Sequence, residues 1–259
     1  MDEINYTVLQ IREAFHLEFL RWLGKRVKVG SYALKGGVNM RCFYKSVRYS
    51  EDMDLDATGL SIYTLKETVM NILLAPAFYN SLKTYGIERI VPPDMGKAKQ
   101  TETTQRFKLR LITYSGEDLF TKIEFSRRGI TGNVVIQTVQ DDILRGYKMP
   151  PLLVPHYDVF SAVTQKVCAL ASRSIIQARD VFDLYVLKPQ YGPGGKKTSK
   201  ITEDKIIKAY ENIFLISFEQ FRDTVIAFLP EDDAAVYNTP AAWDEIKLKV
   251  ANFLEELKK

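Results

Sequence analysis

The chain has 259 residues, with 36 Lys and Arg against 32 Asp and Glu and a net charge of +4, well short of the excess of a histone-like nucleic-acid binder. Hydrophobic residues make up 46% and charged residues 26%, which suits one large globular domain or two modest ones. Two cysteines (Cys42, Cys168) and two histidines (His16, His156), without ligand spacing, exclude a Cys/His zinc site. The cysteine usage fits a reducing cytosol. The polar start MDEINYTVLQ is unlike a signal peptide, and no run of about 18 apolar residues is present. A cytoplasmic protein with no membrane partner is expected.

In chain order, Val8, Ile11, Phe15, Phe19, Trp22 and Leu23 recur at helical spacing and predict a helix over residues 5–24. SYALKGG reads as a short buried strand entering a turn, and VNMRCFYKS as a helix of about two turns. RYSEDMDLDA alternates like a strand. Residues 62–83 read as helix, kinked or divided at Pro76. GIERIV, RFKLRLITY, LFTKIEFSR and NVVIQTV are short β-rich runs separated by turn residues. From Tyr157 the pattern is helical: YDVFSAVTQKVCALASR, ARDVFDLYVLK, then three or four more helices. KPQYGPGGKKTSK, residues 188–200, interrupts them as a mobile, exposed, basic loop. The fold class expected is α+β: a mixed sheet with helices over 1–150, then an α-helical domain over 151–259.

SVRYSEDMDLDA places Asp52, Asp54 and Asp56 at alternate positions around Met53 and Leu55. On a strand, alternate residues project from one face about 6.5–7 Å apart. Two carboxylates so placed can share Mg²⁺, a hard cation that takes carboxylate and phosphate oxygens. The plainer reading is a solvated strand face or a cap on the next segment. Glu124, between Ile123 and Phe125, offers a third ligand from another strand, or simply faces solvent. Asp56 is an outer ligand or only the polar end of the strand. Upstream, Gly36 and Gly37 separate a strand from a helix, where backbone N–H groups can approach a phosphate. Alone, a Gly pair is equally an ordinary tight turn. Arg106, Lys108 and Arg110 alternate with Phe107, Leu109 and Leu111. They form a basic wall beside the carboxylates or a plain solvent-facing sheet surface.

ALKGGVNMRCFYKSVRYSEDMDLD resembles the signature of the AbiEii/AbiGii toxin family, a branch of the DNA-polymerase-β-like nucleotidyltransferases. QKVCALASRSIIQARDVFDLY, residues 165–185, resembles that family's downstream helical motif, and the two matches occur in the family's order. The resemblance implies a nucleotidyltransferase-fold domain followed by a helical domain that contributes Lys166 and Asp180 to the cleft. It places the Mg²⁺ ligands on Asp52 and Asp54; in the mechanism this suggests, Glu124, read above from its strand, helps position the acceptor-side metal and receives the acceptor's proton. The glycine loop falls on Gly36 and Gly37, the family arginine on Arg48, and the motif lysine and acid on Lys166 and Asp180, with Asp183 one turn later. Val38 stands where many relatives carry Thr or Ser. Arg173 and Arg179 are candidates for phosphate or nucleic-acid contacts. Asp180 also suits the first turn of its helix, where a carboxylate is stabilised by the dipole.

The activity so implied is transfer of a nucleotide from an NTP to an acceptor hydroxyl, with tRNA or another RNA first among acceptors. A protein or small-molecule acceptor is the second possibility, and a nucleotide-binding protein without transfer activity the third. Two Mg²⁺ ions, an NTP substrate, an RNA partner and a cognate antitoxin of a toxin–antitoxin or phage-defence system follow from the same resemblance.

Overall fold

The structure, a computed structural model, describes residues 6–192 and 201–258. The Lys-rich part of the 188–200 loop lies outside the described residues. Two compact units are present, neither continuous in sequence. The first runs through Cys42, then takes Tyr49–Ile130 and Val134–His156. The second takes Phe43–Arg48, Thr131–Asn133 and the chain from Tyr157 onward.

The first unit is built on a seven-stranded mixed sheet. Its elements are α1 (Val8–Gly24), β1 (Tyr32–Lys35), α2 (Gly36–Phe43), β2 (Met53–Ala57), α3 (Ile62–Leu73), α4 (Pro76–Lys83), β3 (Ile87–Val91), β4 (Thr104–Thr113), β5 (Asp118–Ser126), β6 (Val134–Thr138), α5 (Asp141–Gly146) and β7 (Leu153–Tyr157). The strand order is β3-β4-β5-β2-β1-β7-β6. β1 runs antiparallel to β2, and β2 parallel to β5. β5 pairs antiparallel with β4, and β4 with β3.

Local chemistry sets the element ends. Thr7 caps α1 in a reciprocal box with Gln10, which satisfies two otherwise orphan donors. Ser61 Oγ accepts from Thr64 N at the start of α3. Pro76 divides the 62–83 segment and opens α4 at a first-turn position, where its missing N–H costs nothing. Phe15, Phe19, Leu20 and Leu23 of α1 are buried, and Phe15 meets Phe78 of α4 edge to face. On β4, Phe107, Leu109 and Leu111 face inward, while Lys108 and Arg110 are exposed and Arg106 is half-buried. The period-two reading of that segment therefore holds, and Phe107 packs edge to face on Phe125 of β5.

Two differences from the sequence reading bear on the site. First, the strand expected over RYSEDMDLDA starts only at Met53. Side-chain hydrogen bonds hold the approach instead: Ser50 Oγ donates to Asp52 O and Thr121 Oγ1 to Glu51 O, each at 2.7 Å. Second, α5 and β7 emerge from a stretch with no clear period. Pro155 lies inside β7 and removes a ladder donor, which masks the strand in sequence. β7 nonetheless pairs parallel with β1, Leu34 opposite His156.

The second unit is helical: α6 (Val159–Ser172), α7 (Ala178–Leu187), α8 (Glu203–Ile213), α9 (Phe218–Thr224), α10 (Glu231–Tyr237) and α11 (Pro240–Leu257), with short 3-10 turns after α7 and α9. α6 packs on α7 and α8, and α11 on α7, α8 and α9. Buried Trp243 stacks on Phe221 at 4.3 Å and donates Nε1–H to Ile216 O. Tyr44 contributes to the same unit by donating its hydroxyl to Tyr157 O at 2.7 Å.

Candidate active site

The turn from β1 into α2 brings backbone beside a carboxylate. Gly36 has φ +70°, and a Cβ there would lie 2.9 Å from Asp54 Oδ2. Only glycine combines that backbone with that approach. Gly37 follows inside the first turn of α2.

Strand register sets a line of charge across the sheet. Lys35 stands opposite Asp54, Asp54 opposite Glu124, and Glu124 opposite Arg106. The two acids are therefore neighbours with a cation at each end. Arg106 Nε donates to Glu124 Oε2 at 2.7 Å. Lys122 Nζ lies 3.0 Å from Asp52 Oδ2 and 3.8 Å from Glu124 Oε2. Lys35 Nζ pairs with Asp56, which is buried.

Asp52 and Asp54 are left short of partners. Asp52 Oδ1 is buried and has no hydrogen-bond partner among the described residues. Among the described residues no cation lies within ion-pair distance of Asp54. Burial pushes the Asp54 carboxyl above its ordinary range; Lys122 and Lys35 pull against this, and Glu124 and Asp52 add to it. A buried orphan oxygen beside a carboxylate that resists ionisation is a site short of positive charge, so both residues fit a divalent cation. Glu124 is already engaged by Arg106 and Lys122. Among the described residues no group of three or more His, Cys, Asp or Glu is placed to hold a metal ion.

The second unit holds its own ionic cluster. Arg48 Nη2 lies 3.2 Å from Asp183 Oδ1, and Lys166 Nζ is paired with Asp183 Oδ2 and, at 3.0 Å, with Asp180 Oδ1. Arg173 Nη1 reaches Asp180 Oδ2 at 2.7 Å. Arg48, Lys166, Asp180 and Asp183 are all buried, and Arg173 is partly exposed. Burial works against the charge of Lys166, but Asp183 and Asp180 outweigh it and hold the ammonium above its ordinary range. Burial likewise opposes the charge of Asp183, but Lys166 and Arg48 hold its carboxyl below the usual range.

The structure thus gathers Asp54 and Glu124 on neighbouring strands, with Asp52 just before β2 and Gly36 at the start of α2, and Arg48, Lys166, Asp180 and Asp183 in one helical cluster. Asp180 does lie in the first turn of α7. Arg179 is exposed, with no ion-pair partner among the described residues. The sequence reading missed Lys122. Its signal was available: in LFTKIEFSR, Lys122 precedes Glu124 by two and shares its face. Lys35 was missed because its partner depends on the register of β1 against β2.

A D-x-D pair at the start of a strand in a mixed sheet, beside a helix that opens on a glycine pair, defines a nucleotidyltransferase. The chain belongs to the AbiEii family: the model for "nucleotidyl transferase AbiEii toxin, type IV TA system" matches residues 20–250. It is therefore a toxin-family nucleotidyltransferase, with an NTP substrate and an antitoxin counterpart. Among solved structures it is similar to MenT4, a nucleotidyltransferase toxin of Mycobacterium tuberculosis, at 17% identity and TM-score 0.64, covering 96% of this chain and 84% of that one. It is also similar to JHP933 from Helicobacter pylori, at 16% identity and TM-score 0.57, covering 98% and 96%. An antigenic nucleotidyltransferase-like protein from Paracoccidioides brasiliensis matches at 12% identity and TM-score 0.50, covering 86% and 96%. At these identities the structural matches show the fold. No curated protein matches the sequence significantly. Among the described residues no helix is long and apolar enough to cross a membrane.

Proposed function

We propose that the protein transfers a nucleoside monophosphate from an NTP to a hydroxyl of RNA, tRNA first among acceptors, with Mg²⁺ as cofactor. The observation that carries this reading is a buried orphan oxygen on Asp52 next to an Asp54 with no ion-pair partner among the described residues, where Gly36 lets the backbone come up against the Asp54 carboxylate.

Asp52 and Asp54 would hold two Mg²⁺ ions, joined by Glu124 on its release from Arg106 and Lys122. When bound, the ions supply charge neutralisation for the triphosphate and for the reacting α-phosphoryl group. The backbone at Gly36 and Gly37 places N–H groups toward the phosphates. The acceptor oxygen bonds to the α-phosphorus, the bond to the β-phosphate's bridging oxygen breaks, and pyrophosphate leaves. Glu124 takes the acceptor's proton. The family motif adds Lys166, Asp180 and Arg48 to the nucleotide-handling set. Val38 carries no hydroxyl, so phosphate contacts at that turn fall to backbone amides.

The test is incubation of the purified protein with total bacterial tRNA, Mg²⁺ and each α-³²P-labelled NTP in turn, with Asp54→Ala alongside. Label on tRNA that vanishes in the variant supports the reading and names the base. Label on protein or a small molecule instead transfers the activity to that acceptor. Absence of pyrophosphate release with every NTP overturns it in favour of nucleotide binding alone.

A further inference from the structure

The line of charge does not end at Arg106. The outer face of the β4–β5 ladder continues along both strands in matched rungs: Arg106 opposite Glu124, Lys108 opposite Lys122, Arg110 opposite Phe120. Beside it, the segment after β3 is tied down by Ala98 N to Asp94 O at 2.9 Å and by Arg106 N to Lys99 O at 2.8 Å. Between them lies a cleft of about 500 Å³. Its lining includes five cationic side chains (Lys97, Lys99, Arg106, Lys108, Arg110) and one carboxylate, Asp94.

That imbalance decides the sign of the occupant. Asp94 is matched by Lys97 at 3.6 Å, and Arg110 by Asp118 at 2.7 Å. Lys99 and Lys108 are exposed and have no ion-pair partner among the described residues. The remaining floor is apolar: Val91, the Pro92–Pro93 pair and Phe120, which is 44% exposed and stands opposite Arg110 in the ladder. Unpaired lysines along an edge, with an aromatic ring and a guanidinium plane at one end, are the two features that hold a single strand: phosphate neutralisation and base stacking.

Position favours the acceptor over the NTP. β4 lies two strands from β2, about 9.5 Å from the Asp54 line. From Glu124 to Phe120 is four residues of strand, roughly 13 Å. Arg106 belongs to both places, lining the cleft while holding Glu124.

We propose that this cleft is the docking track for the unpaired end of the RNA acceptor, with Lys99 and Lys108 on its phosphates and Phe120 under a base. The inference rests on the proposed transfer to RNA. It concerns binding, however, and can be read without turnover.

The experiment measures fluorescence anisotropy of a short labelled single-stranded RNA with the intact protein, without NTP, across a range of salt. Wild-type protein is compared with Lys99→Ala/Lys108→Ala and with Phe120→Ala. The double variant is expected to bind roughly tenfold more weakly, with the salt slope reduced by about 1.4 for two lost phosphate contacts. Phe120→Ala is expected to weaken binding roughly tenfold with the slope unchanged. A fully paired duplex of the same sequence is expected to bind at least tenfold more weakly than the single strand. NTP affinity, measured on the same samples, is expected to stay at the wild-type value, which also reports that the variants are folded. Wild-type RNA affinity and slope in the double variant overturns the track, as does equal binding of duplex, or no RNA binding by the wild type. Transfer to RNA that survives the double variant at wild-type KM removes the track and leaves the activity. RNA binding lost in the double variant, from a protein that labels no RNA, keeps the track and removes the acceptor reading.

Discussion

Asp54 on β2 stands directly opposite Glu124 on β5 in a parallel ladder, yet only Glu124 has a cation in hydrogen-bonding contact. Register makes them neighbours; Arg106 makes them unequal. Asp54 is held in a place that disfavours its charge, which is a cost to the fold and an advantage to a site that must attract a cation.

Asp54→Asn separates those two effects, since it keeps the shape and removes the charge. Nucleotidyl transfer is expected to fall at least about 10³-fold, the size of losing several kcal/mol of charge stabilisation. The melting temperature is expected to stay level or rise by a few degrees. Single-turnover assays beside differential scanning fluorimetry check both. Retained transfer would remove Asp54 from the chemistry, and a marked loss of melting temperature would make it a structural residue.

Gly36 offers a controlled comparison with Gly59. Both have positive φ, +70° and +68°, but an added Cβ at Gly59 meets nothing within 4 Å. Alanine at either position carries a backbone cost of about 1–2 kcal/mol. Only Gly36→Ala also pushes on the Asp54 carboxylate. Both variants are expected to lose similar stability in urea melts. Gly36→Ala alone is expected to lose at least tenfold in kcat/KM for NTP. Equal activity of the two would show that the glycine serves the turn and not the site.

What the sequence showed depended on how local each signal was. The alternation of RFKLRLIT and the break at Pro76 are properties of adjacent residues, and both appear in the fold as read. The motif around Asp52 and Asp54 was legible because its residues lie within one short stretch. The late start of β2 was not, because Ser50 and Thr121 hold that approach and Thr121 is 70 residues from its acceptor. β7 was hidden by Pro155. The engagement of Glu124 by Arg106, and of Asp56 by Lys35, depends on strand register, which no single segment encodes.

Asp183 is fully buried between Arg48 and Lys166, so Asp183→Ala removes a shared counter-ion from two buried cations. A loss of roughly 3–5 kcal/mol is expected in urea unfolding. The pH dependence has a definite sense. The carboxyl is lowered in the folded state, so its contribution is fully present above the unfolded value of about 3.9 and fades as pH falls through the lower folded value. Asp183→Ala should therefore be destabilised at pH 7 and converge on wild type in strong acid. Curves that stay parallel down to the acid limit would show that Asp183 stabilises by packing and not by charge.

His16 sets an acid limit at higher pH. It lies fully buried in α1, with Nε2 3.0 Å from Thr121 Oγ1. The Thr121 hydroxyl already donates to Glu51 O, so His16 Nε2–H is the donor, and the ring carries the approach to Asp52 through Thr121. Burial first, then the charge of Arg12, lowers its pKa to about 3. An unfolded histidine titrates near 6.5, so between those values the unfolded chain binds a proton that the folded chain does not. Stability must then fall as pH drops from about 6.5 toward 3, by up to about 1.4 kcal/mol per pH unit. Glu18 and Asp54, both raised by burial, act in the opposite sense, so the contribution is read as a difference between proteins. His16→Gln keeps a donor for Thr121 without the titration. Urea melts from pH 7 to 4 are expected to show a shallower acid slope in this variant by close to one proton. An unchanged slope would mean that His16 is protonated in the folded protein, and with it that the ring is open to water.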